Sequence, residues 1–372
     1  DFTSVQVFDG ATTYPIILVG QKSVNGIGNQ KFIYSKIPAK SIPANELEFC
    51  NEILIDQILL DQNSWNFNSQ ESASILFKIK SNKTIRSVYG KCYYGIKTGY
   101  NEAFIISKTE KAEILQSSPM DEAIIKPFYE GKDLSKWHTP PLDKFILFTR
   151  RGIQIERYPG VHEWLLKYKK KLVPKNEEGM VEGRKPGPYK WFEIQDTVDY
   201  FELFERPKIV WSNLQSNPKF CWEDKGYYIN APCVILPANN KALLGIINSK
   251  LIWLFLTSIS VVRSGGFIEV KPQYFEQIPI PKISSAIEAK VAALVDSNID
   301  FTRKLQDLTQ QLIKLLFEKN SNLQLTKKLL DWPSYSFKDF LKELEKQKFK
   351  PTLTEQSEWL QYFESEKAKA NV

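Results

Sequence analysis

Histidine is nearly absent: the 372 residues hold only His138 and His162, at no ligand-like spacing. So little imidazole argues against histidine-based acid–base chemistry. Cysteine is scarce as well. Cys50, Cys92, Cys221 and Cys233 form no C-x-x-C pair, so neither a zinc site nor a disulfide framework is expected, and a reducing, cytoplasmic compartment fits best. Long apolar runs are missing too. The longest, LLGIINSKLIWLFLTSISVV, is interrupted by Asn248, Ser249 and Lys250. No membrane partner is expected; the run predicts a buried helix followed by a strand. The opening DFTSVQVFDGATTYPIILVG has no basic n-region and no long apolar core, so it is not read as a signal peptide. The chain also lacks G-x-G-x-x-G, a Walker P-loop, H-E-x-x-H and a G-x-S-x-G elbow.

What is present is ordinary globular composition, 42% hydrophobic and 25% charged, with aromatics high at 13%. The formal charge is +7, and it is unevenly spread. Lys78 to Lys190 holds 23 basic and 13 acidic residues, a net of +10, so the remainder is net acidic. A basic, aromatic-studded, loop-rich stretch is a reasonable footprint for nucleic acid.

The pattern divides the chain into four stretches. Residues 1–22 predict strand, turn, strand over Val5 to Val19, the edge of a sheet whose other strands lie elsewhere. Residues 23–84 form a connector with short helices, the last carrying Ile75, Leu76 and Ile79 on one side. Residues 85–283 hold short strand-like pieces (KCYYGIKTG, NEAFIIS, KFILFTR, PKIVWSN, KFCWED, GYYINAPCVILP) between Gly, Pro, Asn and Asp clusters. Residues 284–372 are helical. Ile287, Val291, Leu294, Phe301, Leu305, Leu308, Leu312 and Leu315 mark one long amphipathic helix, packed on its own core or on a partner. Ser336 and Thr354 are the expected N-caps of two later helices, with Pro351 between them. The fold class expected is α+β: a mixed, mostly β domain with long loops, then the long helix and a small helical tail.

No catalytic residues or metal ligands are assigned. Glu269-Val270-Lys271 has no acidic partner at a useful distance, and RSGG at Arg263–Gly266 is either a phosphate nest or a tight turn between a helix and a strand. YGIKTGYNEAFIIS is more informative. Gly95 and Gly99 bracket Lys97 and Thr98, where backbone can approach a partner closely, and Tyr100 and Asn101 follow. Asparagine can pair with an adenine edge and lysine can reach guanine or phosphate. Asn101 is equally well read as a turn-capping side chain. Lys126 precedes a Gly turn, Arg150 and Arg151 end a strand, and Arg184, Lys185, Lys190 and Trp191 sit in the Gly/Pro-rich GRKPGPYKW. With Arg263, these are the candidate DNA-binding residues.

YGIKTGYNEAFII, IIKPFYEGKDLSKW, KWFEIQD, ERPKIVW, GYYIN, LLGIINSKLIWLFL and YFEQIPIPKI follow one another in the order seen in the TaqI-like C-terminal specificity domain. The chain resembles the C-terminal part of type IIG restriction–modification enzymes of the adenine-specific DNA methyltransferase family, and of related PglX-type phage-defence methyltransferases. VFDGATTYPIILV is similar to the last strands of their methyltransferase domain, and the closing WPSYSFKDFLKELEKQKFKPTLTEQSEWLQYFESEKAKA to the type IIG tail. The cofactor motif, the Asn-Pro-Pro-Tyr/Phe motif and the nuclease motif of such enzymes are not in this sequence. The resemblance implies double-stranded DNA and the enzyme's own methyltransferase domain as partners. It implies S-adenosylmethionine and Mg as cofactors of the parent, with none in this chain. Neither methyl transfer nor cleavage is expected of this chain alone. A protein-interaction module built on the long helix is the reading from a different class.

Overall fold

The computed structural model describes residues 16–20, 31–35, 52–57, 70–176 and 181–370. Of the expected hairpin over Val5 to Val19, only Ile16–Val19 lies among them, without regular structure, and Cys50 lies outside. Two compact units are present, Asp1–Ala292 and Ala293–Val372.

The first unit is built on short strands in small sheets. The buried centre is the strand Lys208–Trp211. It pairs antiparallel with Val234–Leu236 on one side and with Cys221–Glu223 on the other. Tyr93–Tyr94 and Trp137–His138 complete this five-stranded sheet. All four residues of Lys208–Trp211 are buried, which explains why KIVW runs without polar alternation. Trp211 stacks on Phe275 with ring centroids 4.0 Å apart, and its indole N–H donates to the Val270 carbonyl at 2.8 Å. Its polar handle is thereby satisfied inside the core. A second, four-stranded sheet orders Tyr228–Ile229, Ile125–Tyr129, Lys144–Leu147 and Ile105–Ser107. NEAFIIS divides between the two states: Asn101–Phe104 is one helical turn and Ile105–Ser107 a strand.

Helices cover these sheets, and their ends follow from local chemistry. Ser107 and Glu110 form a reciprocal capping box at the start of Lys108–Ser117. The helix Pro159–Leu166 has no cap from its own N-terminal neighbour. The buried Asp121 carboxylate supplies it instead, accepting the Val161 N–H at 2.5 Å. Gly160 is required there, because a Cβ would stand 2.8 Å from that carboxylate oxygen.

The apolar run near Leu243 to Val262 is not one helix but two, Lys241–Ile247 and Lys250–Ile259, bent by 63°. Two polar residues force the break. The buried Asn248 carboxamide leaves the helix to bond both the N–H and the carbonyl of Phe220, at 3.2 and 3.0 Å, and Ser249 caps the second helix through Ile252 N–H. Ala242, Leu243, Leu244, Ile247, Ile252, Phe255 and Leu256 are all buried in the protein. Among the described residues no single helix is long and apolar enough to cross a membrane. RSGG is a turn between two strands rather than between a helix and a strand: Val262–Arg263 pairs antiparallel with Phe267–Glu269.

The second unit is helical, comprising most of the long helix Ser285–Lys319 and then Lys327–Leu330, Phe337–Lys346 and Leu353–Ala370. Leu312, Leu316, Leu329, Trp332, Phe340, Leu344 and Phe363 form its core. Ser336 caps its helix as expected, accepting Asp339 N–H at 3.2 Å. The other cap is Thr352, not Thr354. Its hydroxyl accepts Glu355 N–H at 3.4 Å while the Glu355 carboxylate accepts Thr352 N–H at 2.9 Å. The T-x-x-E spacing of a capping box begins at Thr352; Thr354 lies inside the helix. The whole is an α+β protein.

Candidate nucleic-acid interface

Three loops that are far apart in sequence are sewn together. The segment Lys190–Asp196 lies between the loop at Lys97–Thr98 and the loop at Thr149–Gly152. Gln195 and Asp196 donate their N–H groups to the carbonyls of Thr98 and Lys97, both at 3.2 Å, and Ile194 donates to Thr149 at 2.9 Å. The Glu193 carboxylate, only 3% exposed as a residue, accepts the N–H of Gly152 and of Lys190, each at 2.9 Å. Lys97, Arg150 and Lys190 are held next to this seam, each exposed. The Arg151 guanidinium spans it, donating to the carbonyls of Gln195 at 2.7 Å and of Pro188.

Two of the twelve candidates are buried. Arg184 is 3% exposed and donates to the carbonyls of Thr98 (2.7 Å), Leu172 (2.8 Å) and Trp191 (3.0 Å). Burial pulls its pKa down to about 10, still far enough above neutrality to keep it charged. Thr98 is 1% exposed; its hydroxyl donates to Asn101 Oδ1 at 2.6 Å and accepts Tyr100 N–H at 3.2 Å. As placed, both side chains organise the loops from within. The glycines do the same. A Cβ on Gly95 would stand 2.4 Å from the Asn230 carbonyl, and one on Gly99 2.8 Å from Arg184 Cδ. Both glycines allow close approach to the protein's own groups.

The remaining candidates reach the surface in different states. Asn101 is exposed at the first turn of its helix, and its Oδ1 accepts the Thr98 hydroxyl. Lys171 Nζ donates to the Tyr100 hydroxyl at 3.0 Å. Trp191 is half-buried beside His162, with ring centroids 5.7 Å apart. Lys185 is exposed in its loop. Arg263 is exposed but paired to Glu269, Nη2 to Oε1 at 2.6 Å, and Lys271 holds the other carboxylate oxygen at 2.6 Å. This arrangement neutralises the Glu-Val-Lys sequence. Among the described residues no group of three or more His, Cys, Asp or Glu could hold a metal.

Beside the seam opens a cleft of about 430 Å³. Its charged lining is Lys126, Arg150, Arg151 and Arg157 against the single carboxylate of Glu205, and Phe148, Phe201 and Tyr228 give it an aromatic floor. The Arg150 guanidinium lies 4.7 Å from the centre of the Phe201 ring. No described residue hydrogen-bonds or ion-pairs the Arg150 or Arg157 side chain. Lys126 is held by Glu205 Oε1 at 3.3 Å. Low-dielectric walls charged with one sign concentrate the field on an anion. Arg157, Glu205 and Tyr228 are absent from the sequence-derived candidates. Only ERPKIVW and GYYIN, quoted for the resemblance, contain two of them, and neither motif advertises a cleft.

Comparison with known proteins finds similarity over two parts of the chain. Residues 126–280 match the TaqI-like C-terminal specificity domain. Lys126, Arg150, Arg151, Arg184, Lys185, Lys190, Trp191 and Arg263 lie within that match; Lys97, Thr98, Tyr100 and Asn101 precede it. The entire cleft lining except Ala123 and Ile124 falls inside the match. Residues 284–372 match a domain of unknown function, DUF8810. The chain is 29% identical over 215 residues to the type II methyltransferase M.BanIII of Aneurinibacillus aneurinilyticus, covering 50% of this chain and 34% of that protein. It thus spans about a third of that relative's length. It is also similar to the type IIL restriction–modification enzyme MmeI, solved in complex with DNA. There the TM-score is 0.43 at 12% identity, over 92% of this chain and 42% of that one.

Proposed function

We propose that this chain is the target-recognition part of a type IIG restriction–modification enzyme that methylates adenine, and that it binds duplex DNA through the stitched loops and the cleft beside them. The observation that carries the proposal is the pair of guanidiniums, Arg150 and Arg157, that no described residue hydrogen-bonds or ion-pairs, in a cleft with four cations and one carboxylate inside the match to the specificity domain. Exposed Lys97, Lys185 and Lys190 extend the positive surface. On this reading the cations hold phosphates and fix register, while loop side chains face base edges. S-adenosylmethionine and Mg serve parts of the enzyme outside this chain; the described residues offer no metal-binding group, so no step is assigned to one here. Methylation and any cleavage in a cytoplasmic defence system follow from those other parts.

The test is fluorescence anisotropy of the chain on duplex DNA across a salt series. Arg150→Ala with Arg157→Ala should weaken binding to every duplex and lower the salt slope by about two. Lys126→Ala should lower it by about one, and Asn101→Ala should relax preference at one position at about 1–3 kcal/mol. An unchanged slope and affinity in the double arginine variant would remove this face from the proposal.

A further inference from the structure

Glu205 stands in the cleft wall among Lys126, Arg150, Arg151 and Arg157. A surface made only to grip phosphates gains nothing from a carboxylate in its midst, since like charges repel. Glu205 is also held in one orientation. Its Oε1 accepts the Tyr228 hydroxyl at 2.8 Å and meets Lys126 Nζ at 3.3 Å. Tyr228 itself is fixed: it is 1% exposed, stacked on Phe204 at 4.9 Å and met edge-on by Phe148 at 5.0 Å. The other oxygen, Oε2, accepts no hydrogen bond from the described residues, and the side chain is 47% exposed. The result is a pre-oriented acceptor at the mouth of a cationic cleft.

An ionised carboxylate accepts hydrogen bonds and donates none. On the major-groove edge it fits an amino group and is refused by the acceptors of guanine and thymine. We propose that Glu205 is a specificity-determining residue that reads a base amino group, cytosine N4, in DNA held by the flanking arginines. This rests on the DNA-recognition reading above. Lys126 and Tyr228 are its positioning residues, and Arg150 and Arg157 take the neighbouring phosphates.

The experiment enriches random duplexes on the whole 372-residue chain and on its Glu205→Gln and Glu205→Ala variants, then measures the enriched and altered sites by anisotropy. The unaltered chain should prefer cytosine at one position. Glu205→Ala should lose that preference, roughly 5- to 150-fold, while binding unrelated duplexes as tightly as before or tighter. Glu205→Gln keeps an oxygen for the Tyr228 hydroxyl, so it retains the local fold if alanine does not, and should move the preference toward adenine. Preferences identical to the unaltered chain in both variants would overturn the inference. So would an equal loss of affinity for all sequences, which is the signature of a counter-ion for Lys126. If the unaltered chain binds DNA but prefers no base, the inference fails and DNA binding stands. If it binds no duplex, both fail.

Discussion

Arg184→Ala separates a side chain that builds the interface from one that touches the ligand. The guanidinium is buried, with the Tyr189 ring centre 4.5 Å away and the Phe104 ring centre 5.3 Å away. It donates to carbonyls from three separate segments. Among the described residues, removing it strips the Leu172 and Trp191 carbonyls of their donor, at about 1–3 kcal/mol each, while Thr98 O keeps the Gln195 N–H at 3.2 Å. It also deletes the packed arm that lies 2.8 Å from the Cβ position of Gly99. The expected loss is about 3–5 kcal/mol, a large part of the roughly 5–15 kcal/mol that holds a typical domain together. Replacing a buried charge with an apolar group is often harmless. Here it is not, because the partners are backbone carbonyls that cannot be replaced with it. Urea unfolding followed by tryptophan fluorescence reads the effect as a midpoint lowered by about 1 M or more, given a slope of up to about 3 kcal/mol/M. Arg184→Lys, which reaches fewer carbonyls, should fall between. A loss below about 1 kcal/mol, together with a DNA salt slope reduced by about one, would refute the reasoning and make Arg184 a phosphate contact.

Three further outcomes are expected. Lys208 and Glu223 form a buried ion pair in the central sheet, and Lys208 Nζ also donates to the Phe204 carbonyl at 2.6 Å; Lys208→Met alone should cost about 3–5 kcal/mol, and Lys208→Met with Glu223→Leu should recover much of that, measured by urea unfolding. Burial pulls the Glu269 carboxyl up, but hydrogen bonds from Lys271 and Arg263 outweigh it and hold the group below its usual 4.5. A lowered folded value means its stabilisation is full above the unfolded value and is lost as pH falls through the folded one, so Glu269→Gln should flatten the acid limb of the stability profile below about pH 4.5. Thr352→Ala should destabilise the helical unit by about 1 kcal/mol and Thr354→Ala by less, in paired thermal melts.

The sequence carried the chemistry of single elements better than their meeting. Ser336 was legible as a cap because a serine before an amphipathic run has one common use. Thr354 was the expected cap of the last helix, but the glutamate three residues after Thr352 makes Thr352 the cap. The apolar run Leu243–Val262 advertised burial but not its break, since Asn248 leaves the helix for a carbonyl and an N–H twenty-eight residues away. The candidate site shows the same boundary. A basic loop with glycines predicts exposed cations, and Lys97, Arg150 and Lys190 are exposed. Nothing local distinguishes Arg184 from them, because its burial is created by carbonyls at Thr98, Leu172 and Trp191. The cleft was invisible for the same reason: Lys126, Arg157, Glu205 and Tyr228 converge only once the four-stranded sheet and two 3₁₀ turns are in place.

The positive residues therefore do two different jobs that composition merges. Arg184 and Arg151 are engaged by backbone carbonyls and set the distance between loops. Arg150 and Arg157 leave their guanidiniums without hydrogen-bond or ion-pair partners among the described residues. A buried donor with every partner inside the protein has little left to offer a ligand, and an exposed one without partners adds little to stability. The two groups should then respond oppositely to salt and to denaturant. Replacing Arg150 or Arg157 should change the salt dependence of DNA binding and leave the urea midpoint in place, whereas replacing Arg184 should move the midpoint first. That opposition follows from where each guanidinium finds its acceptors, and under the proposed function it puts the DNA contacts on the cleft side of the stitched loops rather than in the loops' interior.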